Sequence, residues 1–476
     1  MAVTIETAAR VTPSERQLLW QQMEFYAFVH FGMNTFTGKQ WGFGDEDPSL
    51  FNPTEFDANQ WVQICQSAGM TGIILTCKHH DGFCLWPSSF TNHSVKFSPW
   101  KNGQGDMVRE VADACRAHGL KFGVYLSPWD RHELSYGDSP AYNNYFLNQL
   151  TELLSNYGEI FCVWFDGACG EGKNGKRQQY DWDAYYTLIR DLQPNAVISV
   201  CGPDVRWCGN EAGHMRASEW SVVPASMKDN EKVHAKSQKV DDNSFSKRID
   251  TREEDLGTRE VLAQVDEVIW YPSEVDTSIR PNWFYDPADN DLVKTVDQLF
   301  ELYEKTVGGN SCLLLNLPPD RRGLIHENDA RNMSELGKKL RGTYGTNLAR
   351  GASVRASGSG IGNGDALCIL DGRSDTYWTT PEGVATAELE FDLGSIKLFD
   401  RIILQEYITS GQRVERFHLA CKDSDEEEWR PLYDGTIIGY KRICRLNESR
   451  GRFFRLRIAE ARLNPMISSF GVYITT

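Results

Sequence analysis

From Phe25 to Leu317 the chain alternates short, nearly continuous apolar runs with segments whose apolar residues recur at helical spacing. The first kind fits strands buried on both faces of a sheet, and the second fits helices packed against it. The strand-like runs are Phe25 to Phe31, Gly72 to Lys78, Lys121 to Ser127, Ile160 to Phe165, Ala196 to Val200, Ala217 to Val223, Val268 to Pro272 and Ser311 to Leu317. Between them, Asp57 is placed to cap a helix carrying Trp61, Ile64, Cys65 and Ala68 and ended by Gly69. Asp106 likewise precedes Met107, Val108, Val111 and Cys115, with Gly119 closing the pattern. Eight runs with helical crossovers predict an α/β domain of the (β/α)8-like TIM barrel type. Lys228 to Glu260 is highly charged with few large apolar residues and reads as a surface excursion.

From about Thr343 helical periodicity gives way to alternating runs such as Ala387-Glu-Leu-Glu-Phe-Asp-Leu and Phe453-Phe-Arg-Leu-Arg-Ile. This predicts an all-β sandwich. The stretch Pro318 to Gly342 contains a helix-like segment, Met333 to Leu340, and reads as a packed connector rather than a flexible linker. The expected domains are a barrel with connector over 1–342 and a C-terminal β-sandwich over 343–476.

Of the 476 residues, 41% are apolar and 24% charged, enough for substantial cores. The net charge of -16 opposes a nucleic-acid or anionic-membrane partner. No apolar run is long enough to span a bilayer, and Glu6, Arg10, Glu15, Arg16 and Glu24 interrupt the N-terminal region where a signal peptide would lie. The twelve cysteines include no CxxC pair, and several fall in or beside strand-like runs. A reducing, cytoplasmic location is expected, or an extracellular or periplasmic one where a leader has been removed. Oligomeric state is not legible.

A barrel of this kind keeps its active site at the carboxyl ends of its strands, so the polar residues ending each run are the candidates. They are His30, His79, His80 and Asp81, Tyr125 and Trp129, Asp166, Arg206 and Glu211, with Trp41, Trp86, Trp164, Trp207 and Trp283 as aromatic walls suited to a sugar ring. Asp166 ends an otherwise apolar run, where a carboxylate is costly unless donors hold it. A glycosidase needs a second carboxyl group, and both Glu211 in Gly-Asn-Glu-Ala-Gly and Glu219 in Ser-Glu-Trp can supply it. Adjacent His79 and His80 diverge at a strand end and lack HxxxH or cysteine-ligand spacing, which favours hydrogen bonding to substrate over a catalytic metal. There is no P-loop, no GxGxxG after a strand and no nucleophile elbow; Gly358-Ser-Gly-Ile-Gly-Asn-Gly reads as a loop.

The motifs Phe28-Val-His-Phe-Gly-Met-Asn34, Lys78-His-His-Asp-Gly-Phe83, Val163-Trp-Phe-Asp-Gly167 and Leu313-Leu-Leu-Asn-Leu-Pro-Pro resemble the retaining α-L-fucosidases of glycoside hydrolase family 29. The resemblance implies Asp166 as nucleophile, a fucose pocket lined by His30, His79, His80, Tyr125, Trp164 and Arg206, and no cofactor in catalysis. Trp41, Glu46 and Trp283 are further pocket candidates. The run Cys201 to Gly213 looks like the branch specific for α-1,3/1,4-linked fucose, which implies Glu211 as acid/base and branched Lewis a or Lewis x oligosaccharides or glycoconjugates as substrates. The C-terminal region resembles a discoidin, or factor 5/8 type C, module. Such modules bind sugars and at times a structural calcium, for which Asp371 and Asp375 offer hard oxygen ligands.

Overall fold

The near-continuous apolar runs form parallel strands in a nearly closed sheet. The computed structural model describes residues 3–239, 241, 255–357 and 366–476. In chain order the first ten strands are β1 (Phe25–Val29), β2 (Gly72–Lys78), β3 (Lys121–Leu126), β4 (Cys162–Phe165), β5 (Val197–Val200), β6 (Arg206–Trp207), β7 (Val222–Pro224), β8 (Val268–Trp270), β9 (Ser273–Ser278) and β10 (Ser311–Asn316). Eight of them make the barrel sheet in the order β5-β4-β3-β2-β1-β10-β9-β6. A parallel bridge between Ser199 and Val205 brings its two edges together.

Two predicted strands are corrected. Ala217 to Val223 and Val268 to Pro272 supply only β7 and β8, which pair antiparallel in a small sheet of their own. Their places in the barrel go to the two-residue β6 and to β9, Ser-Glu-Val-Asp-Thr-Ser. Strand β9 has no apolar run because its inward side chains bind other polar groups in the barrel. Glu274 accepts hydrogen bonds from Trp164 Nε1 at 2.7 Å and Ser199 Oγ at 3.0 Å, and also from the Tyr26 hydroxyl. Satisfied donors make burial of such a carboxyl group tolerable.

The capped helices form where their punctuation places them. Helix Ala58–Ser67 begins with Asp57 Oδ1 accepting from Asn59 N at 2.9 Å, and Met107–His118 runs from an Asp106 cap to Gly119 at φ 74°. The connector helix Glu327–Tyr344 is longer than its apolar signal. At Gly337 it lies so close to Ser67 that an added Cβ would sit 1.8 Å from the Ser67 carbonyl oxygen. In the charged excursion, Asn230–Lys236 and Arg259–Leu262 are helical, while residues 240 and 242–254 lie outside the described residues.

The C-terminal strands β11 (Ser353–Ala356), β12 (Trp378–Thr379), β13 (Ala387–Glu406), β14 (Val414–Lys422), β15 (Arg430–Gly435), β16 (Arg442–Ala461) and β17 (Met466–Tyr473) pair antiparallel in the order β12-β17-β13-β16-β14-β15, with β11 on β13. Register shifts along β13 and β16 break the two longest strands, as expected where a sheet folds over its own core. Leu389, Phe391, Phe454, Leu456 and Phe470 fill that core, with Phe391 and Phe470 stacked at 3.8 Å. The predicted loop at Gly358 lies outside the described residues. Asp371 and Asp375 are engaged locally: Asp371 accepts from Arg373 N and Thr376 Oγ1, and Asp375 pairs with the Arg373 guanidinium at 2.7 Å. Among the described residues no group of three or more His, Cys, Asp or Glu gathers to hold a metal ion.

Candidate active site

A pocket opens at the carboxyl ends of the barrel strands. Its walls include His30 after β1, His79 and His80 after β2, Trp164 and Asp166 from β4 and its end, Trp207 of β6 and Asp276 of β9. Glu211 and Trp283 reach it from loops.

The turn that presents the histidines follows from its sequence. Asp81 Oδ1 accepts from Phe83 N at 2.7 Å, and His79 O accepts from Gly82 N at 3.0 Å. Gly82 sits at φ 80°, where an added Cβ would meet Asp130 Oδ1 at 2.5 Å, so glycine is required. Val200, which also lines the pocket, holds φ 66° despite its β-branch, a strain of about 1–3 kcal/mol of the kind found at functional sites.

The hydrogen-bond network sets the tautomers of two imidazoles. Asn316 Nδ2 donates to Ser278 Oγ and Trp283 O, so its Oδ1 accepts from His30 Nδ1 at 2.9 Å. Ser127 Oγ donates to Trp129 O at 2.6 Å and therefore accepts from His80 Nδ1 at 2.7 Å. Each ring is left with a bare Nε2 that can accept from a sugar hydroxyl. Burial pushes His30 down to about 3 and His80 down to about 4, and it holds His79 well below the usual imidazole range. All three are neutral near pH 7, so the 3.8 Å approach of His80 Nε2 to Asp166 is not an ion pair. His79 Nδ1 is buried without a hydrogen-bond partner.

The carboxyl groups have different environments. Asp166 accepts from the Tyr125 hydroxyl at 3.0 Å and from Ala168 N at 2.7 Å. Three indoles hold three others: Trp164 binds Glu274, Trp207 binds Asp276 at 2.8 Å, and Trp283 binds Glu211 at 2.8 Å. Burial pushes Glu211 up to about 7, with the Trp283 N–H opposing the rise and the charge of Asp166 adding to it. Burial, then the charges of Glu211 and Glu274, hold Asp276 well above the usual carboxylate range. One carboxyl group held by two donors and another kept protonated near neutrality is an arrangement suited to acid-assisted bond cleavage.

The family profile described as Alpha-L-fucosidase matches residues 7–344, and that described as F5/8 type C domain matches 353–469. The chain belongs to the alpha-L-fucosidase family. It is 41% identical to Arabidopsis thaliana Alpha-L-fucosidase 1 over 97% of this chain and 87% of that one. A crystal structure of a glycoside hydrolase 29 family member from an unknown rumen bacterium is 39% identical, covers 98% of this chain and 78% of that one, and superposes with a TM-score of 0.80. A Ruminococcus gnavus GH29 fucosidase solved in complex with fucose is 32% identical over 98% of this chain and 95% of its own, with a TM-score of 0.84.

Within this fucosidase-family barrel, Asp166, Glu211, His30, His79, His80, Trp41, Trp164 and Trp283 all line the pocket. Tyr125 lies behind the lining, stacked at 5.6 Å on His79 and bonded to Asp166. Five proposed residues are placed elsewhere: Asp81 shapes the histidine turn, Trp129 packs behind the lining at 5.1 Å from the His80 ring and 5.2 Å from that of Trp41, and Glu46, Arg206 and Trp86 are held by other partners. Glu46 folds back on its own loop, accepting from Phe43 N at 2.5 Å and Gly44 N at 2.8 Å. Arg206 is buried against Glu219 at 2.6 Å, a pairing that also withdraws Glu219 from the pocket. Trp86 is buried and donates to Glu152. Sequence reasoning missed Phe28, Gln40, Val200 and Asp276. The signal for Asp276 was the alternation Glu274, Asp276, Ser278, which puts three polar residues on one side of a strand.

Proposed function

We propose that the chain is a retaining exo-α-L-fucosidase that removes α-1,3/1,4-linked fucose from branched, Lewis-type glycans. Asp166 attacks the anomeric carbon while protonated Glu211 gives its proton to the departing oxygen. The resulting fucosyl ester is opened by water, from which Glu211, now a carboxylate, takes a proton. Tyr125 and Ala168 N orient the nucleophile. The neutral His30 and His80 accept from sugar hydroxyls, and the indoles cover the apolar face of the ring. The observation that carries this reading is the contrast within one pocket between Asp166, held by two donors, and Glu211, held near pH 7 in its acid form. Glu211 has one oxygen on Trp283 Nε1, which leaves the other for the leaving group.

The linkage preference is supported by the run Cys201 to Gly213, which carries Glu211 and resembles the α-1,3/1,4 branch. The test is product analysis with Lewis a and Lewis x trisaccharides, linear 2'-fucosyllactose and an aryl fucoside, with wild type and Glu211→Ala. Fucose released from the branched sugars alone, and lost in the variant, is the expected result. Strong cleavage of the linear sugar would overturn the linkage assignment, and undiminished activity of the variant would overturn the role of Glu211.

A further inference from the structure

The loop that carries Glu211 is joined to the barrel by Cys208 N, which donates to Glu274 O at 2.9 Å, and by Trp283 Nε1, which donates to Glu211 at 2.8 Å. Gly209 at φ 102° and Gly213 at φ 76° flank it, and the side chain of Asn210 braces it from within, accepting from Ala212 N and His214 N. Its far end is tied back by Arg216, whose Nη1 reaches Cys208 O at 3.2 Å and which pairs with Glu219 at 3.5 Å. Glu219 also grips Arg206 of β6. The far end of the loop therefore takes its position from the segment Arg216 to Ser221.

That segment is held from the C-terminal β-sandwich. Arg442 Nη2 donates to Ala217 O at 3.3 Å, and the Thr436 hydroxyl bonds that of Ser218 at 2.8 Å. Gln412 Oε1 accepts from Ser221 N at 2.8 Å. Asn310, at the start of β10, donates to Glu219 O at 2.7 Å and accepts from Tyr440 N at 2.7 Å, joining barrel, segment and sandwich in one contact. The sandwich side of this contact is itself fixed: buried Glu406 accepts from Arg413 N, Val414 N and Gly439 N. Arg442 Nε donates to Ile437 O.

We propose that the β-sandwich belongs to the catalytic unit: Gln412, Thr436 and Arg442 are positioning residues that hold the Glu211 loop at the mouth of the pocket. The inference rests on Glu211 being the acid/base. A general acid is worth about 10²–10⁴-fold and must lie within hydrogen-bond reach of the leaving oxygen. A misplacement of about 1 Å, transmitted from far away, can cost on the order of 10²-fold. The loss must depend on the leaving group, because a departing fluoride needs little protonation and a departing sugar needs it fully.

The test compares full-length wild type, Arg442→Met, Thr436→Val and Glu211→Gln on a fucosylated trisaccharide and on α-L-fucosyl fluoride. Thermal unfolding shows which variants are folded. Arg442→Met is expected to lose about tenfold in kcat/KM on the trisaccharide and to stay within about twofold of wild type on the fluoride. Thr436→Val should show the same selectivity with a smaller loss and decides the matter if Arg442→Met does not fold. Equal losses on both substrates, or none on either, in a folded variant would overturn the proposal. If Glu211→Gln itself lost equally on both, the failure would lie with the acid/base assignment instead.

Discussion

Replacing Trp283 by Phe removes the indole N–H that donates to Glu211 while keeping an aromatic ring beside His30, whose ring lies 4.9 Å from that of Trp283. The indole N–H stabilises the charged form of Glu211, so its loss favours the acid form. A hydrogen bond to a charged group contributes about 1.5–3 kcal/mol, and about 1.4 kcal/mol corresponds to one pH unit. The lower end of that range corresponds to about one unit. From a starting point of about 7, Glu211 in the variant titrates near ~8. The basic limb of kcat/KM, measured on a fucosylated trisaccharide from pH 5 to 9 at constant ionic strength, should move up by about one unit. Activity at pH 8 relative to the plateau should rise about fivefold, because the protonated fraction grows from about a tenth to about a half. The plateau itself falls, since the indole is also part of the pocket wall, so the shape of the profile is the readout. A basic limb that stays in place, or moves toward acid, would refute the reasoning.

Asp276 should behave differently, because burial and the neighbouring charges of Glu211 and Glu274 hold it well above the usual carboxylate range. Asp276→Asn retains an acceptor for Trp207 and should leave the basic limb within about 0.3 units of wild type; a clear shift to lower pH would mean that an anionic Asp276 had been raising Glu211. A fucose-bound crystal structure is expected to place the Asp166 and Glu211 carboxyls about 5–5.5 Å apart, whereas about 9 Å would indicate inversion. Buried Lys78 binds Asp130 at 2.8 Å and Gln149 at 2.9 Å, so Lys78→Met should destabilise the fold by about 3–5 kcal/mol in chemical denaturation at pH 7. Although burial works against it, the Lys78 ammonium and hydrogen bonds hold Asp130 below the usual carboxylate range. The stability of the pair is therefore present above that range and is lost as pH falls through the folded value, so the penalty should shrink in acid.

Much of the fold was legible because the barrel strands β1 to β5 and β10 are covered on both faces and read as apolar runs, as in Gly72-Ile-Ile-Leu-Thr-Cys-Lys78. The cap residues Asp57 and Asp106 marked helix starts because a carboxylate before an apolar-periodic segment satisfies orphan N–H groups. Strands β6 and β9 escaped detection for the opposite reason. Arg206, Glu274 and Asp276 are buried in polar company, a property of their tertiary partners rather than of local pattern. Aromatics and histidines at strand ends were found from their position alone. Glu46 and Trp86 were not separable from pocket residues by composition, because whether such a side chain faces a sugar or its own loop depends on contacts such as Gly44 N and Glu152. The role of Glu219 was equally hidden: in sequence it is a carboxylate between Ser218 and Trp220, and in the fold it is the clamp between Arg206 and Arg216.

In the proposed mechanism Asp166 forms a covalent bond to the anomeric carbon of fucose. Its most direct test is to inactivate the full-length enzyme with 2-deoxy-2-fluoro-L-fucosyl fluoride, digest it and locate the added mass by tandem mass spectrometry. The expected result is one fluorofucosyl group per chain, carried on Asp166 in the peptide Phe161-Cys-Val-Trp-Phe-Asp-Gly167. A label on any other residue, or none on an enzyme that still cleaves fucosides in the same preparation, would contradict it.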